Sequence, residues 1–443
     1  MSLSRLARFF TAPATAVAML LLPILLGSCT LKSGGFVITE PAHLRFFNAL
    51  VDGGPINVQV IAVNQDSQTL LTGLPFEGVS NYLDINAGNQ QINIVANNTS
   101  TIYSGTQLFI DDAFYSFMVY GTSASPVVLP IPDAVANTPE GGQFSIRFMN
   151  AAYSSIGFDV YVTTPGASLA NMSPNFSNLA YGNITLFTAI ATGSYQVRFT
   201  LPNSKQVIYD AGTIDFAEKA SYQLVAYTKG SGTLLSAALL NLDTVGAGSA
   251  IQSRQAQIKL VHTAPGTATV NAFVDGATAF ANLPYLGASS YETLAAGAHT
   301  VTVETVATPG AVIASAQPTF APATDTTVVL TGPPGAQSAV VLADTNLPAT
   351  AGSARIRFVN VAANTGPVDV YINFAQRVAA IPSNAASGYL ELPENTYAIT
   401  FDLAGTTTVL LNLPAVEVDA GGTYTLYLAG NPGALTGLLT HDD

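Results

Sequence analysis

Leu44-Arg45-Phe46-Phe47-Asn48 returns three times, as Ile146-Arg147-Phe148-Met149-Asn150, Ile258-Lys259-Leu260-Val261-His262 and Ile356-Arg357-Phe358-Val359-Asn360. The starting points lie 102, 112 and 98 residues apart, which is the scale of domains and not of a solenoid. Each copy alternates apolar and polar positions, the period of a half-buried strand. The chain therefore reads as four homologous units.

A second strand follows in every unit: Ile56 to Val60, Phe158 to Val162, Val270 to Val274 and Val368 to Ile372. Turn formers separate it from the first: Asp52-Gly53-Gly54-Pro55, Ser154-Ser155, Pro265-Gly266 and Asn364-Thr365-Gly366-Pro367. Further on, an aromatic precedes a turn residue by six: Tyr82 and Gly88, Phe187 and Gly193, Tyr291 and Gly297, Tyr389 and Asn395. The last strands start at Tyr115, Tyr222, Thr327 and Tyr424, which reads Thr327 as a replacement of the late Tyr.

No stretch after the N-terminal segment has the pattern of a long amphipathic helix. Many short strands with regular turns predict an all-β chain of tandem immunoglobulin-like antiparallel β-sandwiches. The modules span 43–133, 144–243, 256–346 and 354–443, and linkers fall at 134–143, 244–255 and 347–353, where the alternation lapses. Those linkers are short, so neighbouring modules should touch.

One spacing is held in all four units: 12 residues from the basic residue of strand one to an Asx of strand two. The pairs are Arg45 and Asn57, Arg147 and Asp159, Lys259 and Asn271, Arg357 and Asp369. In a hairpin centred on the turn formers the two would face each other outside the core. That predicts an exposed cross-strand pair worth about 0.2–1 kcal/mol. A ligand-gripping pair is the functional alternative, but recurrence in every copy favours architecture. Tyr161, Phe273 and Tyr371 neighbour these pairs and are the candidate ligand contacts, since outward rings could carry a glycan. Cross-strand packing is the plainer reading of them.

The N-terminus carries a different signal. Arg5 and Arg8 precede an apolar stretch from Phe9 to Leu26, which ends in Leu26-Gly27-Ser28-Cys29. Small residues before a cut are what a signal peptidase accepts. The tetrapeptide resembles the lipobox of bacterial lipoproteins, so residues 1–28 are expected to be removed and Cys29 acylated. Residues 29–42 then form an anchor linker. Two or more acyl chains hold a membrane stably. Thr30, not Asp, follows the cysteine, and in diderm bacteria the resemblance then implies an outer-membrane lipoprotein.

Charge excludes one class of partner. The 14 Lys+Arg face 27 Asp+Glu, and without Arg5 and Arg8 the mature chain holds 12 against 27, a formal −15. Nucleic acid requires clustered cations, and here they are scattered. Charged residues amount to 9%, well under the roughly 25% of ordinary soluble domains, so the surface must be uncharged-polar. That suits a secreted or envelope protein.

Signals of chemistry are weak. The single cysteine lies in the signal region, which removes cysteine-based zinc sites and nucleophiles from the body. His43, His262, His299 and His441 lack metal-ligand spacing. Asp111-Asp112 and Asp442-Asp443 sit in no ligand-spaced calcium loop. No cofactor, metal or catalytic residue is assigned.

The repeated strands nevertheless resemble a known family. Arg355 to Asn360, Pro367 to Tyr371 and Ala420 to Leu426 match the pattern of the bacterial domain-of-unknown-function family 4397 (DUF 4397) best. The second unit matches well and the first moderately. The third departs, with Lys259, His262 and Asn271 in place of Arg, Asn and Asp and Thr327 in place of the late Tyr; Lys259, His262 and Thr327 make it the first suspect for a dedicated site. The resemblance implies a β-sandwich outside the cytoplasm and carries no catalytic residues. Together these readings give a cell-envelope protein anchored to the membrane through acylated Cys29. Its expected role is non-catalytic, structural or in protein interaction, and its partner is an unknown envelope protein or glycan. The alternative is a surface glycan or small-ligand binder acting through repeated weak sites.

Overall fold

The computed structural model describes residues 40–443 apart from 63–65, 98–99, 134–138, 154, 230–232, 244–247, 348, 351 and 443. The signal segment, Cys29 and most of the anchor linker lie outside the described residues, as do Ser154 and Asp443. The described residues form strands and no helix, so none is long and apolar enough to cross a membrane.

The first module sets the plan. Its strands are β1 (Ala42–Leu50), β2 (Ile56–Ala62), β3 (Gln68–Leu74), β4 (Leu83–Ile85), β5 (Gly88–Ala96), β6 (Ser100–Phe109), β7 (Phe114–Thr122) and β8 (Ser125–Pro132). They build two sheets, ordered β4-β1-β7-β8 and β3-β2-β5-β6. Leu44 and Phe46 of β1 pack on Ile56, Val58, Ile92 and Ile94 of the other sheet. The remaining three modules repeat this sandwich, each with strand one parallel to the strand that corresponds to β7.

Strands one and two lie in opposite sheets, so the expected hairpin does not exist. Arg45 is in register with Ser116 of β7, and Asn57 with Val95 of β5. What holds the spacing is Asn48. Its Nδ2 donates to Gly54 O at 2.9 Å and Leu74 O at 3.1 Å, while its Oδ1 accepts from Leu50 N at 3.1 Å. This staple fixes the length of the crossing between sheets. Asn360 bonds Gly366 O and Ile381 O in the same way.

The Asx of strand two does another job. Asn57, Asp159, Asn271 and Asp369 accept the backbone N–H of Gly73, Asn178, Asn282 and Ala380 at 2.7–2.8 Å. Those four donors all have positive φ, from 49° to 66°, and sit where the following strand bulges out of register. A left-handed residue is costly outside glycine. The Asx oxygen anchors it.

The four sandwiches associate in two pairs. Strand one was expected to be half buried, yet its second face is covered as well. Phe47, Ala49, Met118 and Tyr120 of the first module pack on Met149, Val225, Tyr227 and Leu240 of the second. Val261, Val329 and Leu342 of the third pack on Val359, Val361, Tyr427 and Ala429 of the fourth. Burial on both faces explains why strand one is so apolar. The expected linker 244–255 also holds a strand, Ser249–Ile251, which adds to the second module's sheet.

Candidate functional site

The most regular polar constellation is buried at these two joints. Each basic residue of strand one projects away from its own core and reaches the strand of the neighbouring module that corresponds to β8. Arg45 Nη1 donates to Asn241 O at 2.9 Å, and Arg147 Nη2 to Pro132 O at 3.3 Å. Lys259 Nζ donates to His441 O at 2.8 Å, and Arg357 Nη1 to Ala343 O at 2.7 Å. The exchange is reciprocal in both pairs. The cations are 0–7% exposed, so the expectation of exposed pairs is overturned.

Carboxylates close the joints. In the second pair Lys259 meets Asp442 at 2.5 Å, and Arg357 bonds Asp344 and lies 3.6 Å from Asp442. Thr327 and Tyr291 donate to Asp344, while Thr425 and Tyr389 (2.7 Å) donate to Asp442. In the first pair Asp133 serves both guanidiniums, 3.7 Å from Arg45 and 3.3 Å from Arg147. Ser116 and Tyr82 donate to it at 2.6 and 2.7 Å. Every cation also lies over an aromatic ring, 4.4–4.8 Å from Tyr82, Phe187, Tyr291 or Tyr389.

The electrostatics follow from burial. Desolvation lifts the phenols of Tyr82, Tyr291 and Tyr389 above their ordinary range, and the neighbouring carboxylates add to that, so all three stay neutral donors. Burial lifts the Asp133 carboxyl, opposed by Arg45, its hydrogen bonds and Arg147. Burial also lowers Arg45 and Arg147, which Asp133 partly offsets. Arg357 ends above its ordinary value because the attraction of Asp344, Tyr389 and Asp442 outweighs its desolvation.

Open space lies elsewhere, between the second and third modules. A cleft of about 530 Å³ is lined by Lys229 and Leu234 from one side and by Asp325, Asp344 and Asn346 from the other. A second groove of about 400 Å³ is lined by Ile156, Phe158, Ile208 and Leu235, with Gln257 and Tyr291. Among the described residues no three His, Cys, Asp or Glu side chains converge on a metal position.

The aromatic candidates are not a common platform. Tyr161 is 1% exposed, covered by Lys205, whose Nζ donates to its hydroxyl at 2.7 Å and lies over its ring. Phe273 and Tyr371 are half-buried, each on its own module and in register with Thr302 and Thr400. The divergence of the third module is structural too. His262 Nδ1 accepts Ala264 N at 3.3 Å and Nε2 faces Ala268 O at 3.2 Å, the positions Asn48 bonds in the first module. Thr327 is in register with Lys259 as Ser116 is with Arg45, so Thr326 and not Thr327 stands at the late-Tyr position.

The carboxylates themselves were missed. Their signal is a separation of 17 residues between a hydroxyl and a later Asp: Ser116 and Asp133, Thr327 and Asp344, Thr425 and Asp442. The second module breaks it with Gln223, which blurs the pattern.

This architecture is that of a tandem β-sandwich protein whose repeated polar residues couple modules. The chain belongs to the family described as domain of unknown function (DUF4397), which matches residues 42–161, 256–371 and 362–443. No curated protein matches the chain. Two of the solved structures to which the chain is similar in part are the following. The Bacillus anthracis TIE protein is 10% identical, covering 85% of this chain and 67% of its own, with a TM-score of 0.16. The family CBM26 module CBMbc of Eubacterium rectale Amy13K, solved with maltoheptaose, is 10% identical, covering 42% of this chain and 92% of its own, with a TM-score of 0.15.

Proposed function

We propose that this is a lipid-anchored protein of the bacterial cell envelope, held by acylated Cys29, with a non-catalytic structural or protein-interaction role. The observation that carries the reading is where the repeated chemistry goes. The basic residue of every module, with its aromatic and the carboxylates Asp133, Asp344 and Asp442, is engaged in module-to-module joints, and only Asp344 and Tyr291 also border the clefts between the second and third modules. Residues arranged so make a rigid spacer, and a rigid spacer on a lipid anchor displays or connects. Palmitate labelling tests the anchor: wild type should be labelled, and Cys29→Ser should lose both label and processing. A labelled Cys29→Ser chain overturns it. Crosslinking on intact cells, followed by comparison with the Cys29→Ser strain, tests for an envelope partner.

Small-ligand binding is the second reading, and the cleft between the second and third modules favours it. Clefts at domain junctions are common ligand sites. A glycan panel and a metabolite thermal-shift screen on the whole chain separate the two readings.

A further inference from the structure

Asp325 and Asn346 stand on the wall of that cleft, and their hydrogen bonding is incomplete. Asp325 opens the strand Asp325–Thr331 and is 4% exposed; Asn346 is 6% exposed. Asn346 Nδ2 donates to Asp325 Oδ2 at 2.7 Å. The other oxygen of each group, Asp325 Oδ1 and Asn346 Oδ1, is buried with no hydrogen-bond partner. Both are acceptors if the acid is ionised, and a buried acceptor without a donor carries its full desolvation cost.

One proton eases this mismatch: on Asp325 Oδ1 it replaces an orphaned acceptor with a donor, in a couple whose amide N–H continues to donate to Oδ2. A calcium ion would instead need 6–8 oxygens, and among the described residues no three His, Cys, Asp or Glu side chains converge on a metal position.

The charged surroundings act in both directions. Asp344 lies opposite Asp325 in the ladder, its oxygens taken by Arg357, Thr327 and Tyr291. Lys259 lies on the strand beyond, and Lys229 lines the cleft from the second module, its Nζ donating to Ala323 O at 3.2 Å. Burial first, then the charge of Asp344, lift the Asp325 carboxyl to about 7, against the pull of Asn346, Lys229 and Lys259.

We propose that the joint between the second and third modules is a proton-controlled latch. With its proton, Asp325 is locked to Asn346 within the third module. Without it, the carboxylate repels the amide oxygen and attracts Lys229 across the cleft. Because the folded acid titrates above its unfolded value near 3.9, the stability it contributes is full below about pH 4 and is lost as pH rises through about 7.

The test is a ¹³C-carboxyl NMR titration of the full chain labelled at Asp, compared with Asp325→Asn. One resonance should titrate near pH 7 and be absent from the variant, whose amide oxygen can still accept from Asn346 Nδ2. Lys229→Met should move that midpoint to higher pH. Should Asp325→Asn fail to fold, the wild-type titration with Lys229→Met still decides. If every Asp resonance titrates below about pH 5, the latch does not exist. An unchanged midpoint in Lys229→Met overturns the part assigned to the second module.

Discussion

Tyr389 donates its hydroxyl to Asp442 at 2.7 Å, and the side chains in the same two places of the second module, Phe187 and Leu242, can form no such hydrogen bond. The register makes the match: His441 faces Tyr424 as Asn241 faces Tyr222, and Asp442 and Leu242 come next. The second module has neither the acid nor the phenol. The first joint therefore holds two guanidiniums against one buried carboxylate, and Gln223 Nε2 is left buried without an acceptor.

Restoring the pair should reveal that coupling. Phe187→Tyr alone buries a hydroxyl without an acceptor, at a cost of about 1–3 kcal/mol. Combined with Leu242→Asp, it should do better than the sum of the singles by about 0.5–3 kcal/mol. Urea unfolding of the four corners of the cycle measures this. Simple additivity would show that the two positions do not meet.

Arg357 offers the sharpest contrast between an exposed and a buried pair. Its removal leaves Asp344 without its closest cation and opens a donor-poor cavity in the joint. Arg357→Ala should cost about 3–5 kcal/mol, where an exposed pair would cost under about 1. Denaturant midpoints of the whole chain decide it, and a loss within the surface range would place the guanidinium in water.

The pairing of modules predicts which fragments stand alone. A fragment of residues 256–443 keeps its joint and should be a folded monomer. The fourth module alone, about 354–443, bares Val359, Val361, Tyr427 and Ala429 and loses Lys259 from Asp442. It should self-associate or unfold, since contiguous apolar faces of that kind do not stay solvated. Circular dichroism with light scattering separates the cases, and a stable monomeric fourth module would make the joint optional.

His262 should behave as a structural asparagine. Burial holds its pKa below the ordinary value of 6.5, against two backbone hydrogen bonds. The unfolded chain thus takes up a proton first, and the stability due to the neutral ring is lost as pH falls below about 6.5. His262→Asn should keep the fold at pH 7.5, within about 1 kcal/mol, because Asn48 makes the corresponding two bonds in the first module. It should also lose less stability than wild type on going to pH 5. Thermal melts at the two pH values measure both, and an equal acid loss in the variant would show that His262 already titrates as an exposed ring.

The sequence by itself determined the number of modules, their strands and their family, because alternation and turn residues are local signals that a repeat prints four times. Arg45, Asn48, Asn57 and Tyr82 were all visible as recurring positions. Their partners were not. A constant spacing of 12 residues reads equally as a hairpin or as a crossing between sheets, and only the parallel pairing of β1 with β7 distinguishes them. Tertiary structure alone decided that Arg45 is buried, that Asn48 sets the spacing and that Asn57 anchors a bulge. It also decided that modules associate in pairs, since Lys259 and Asp442 meet across 183 residues of chain. No local pattern encodes a contact of that range: a charge at an outward position faces water or another module depending on what the rest of the chain brings against it.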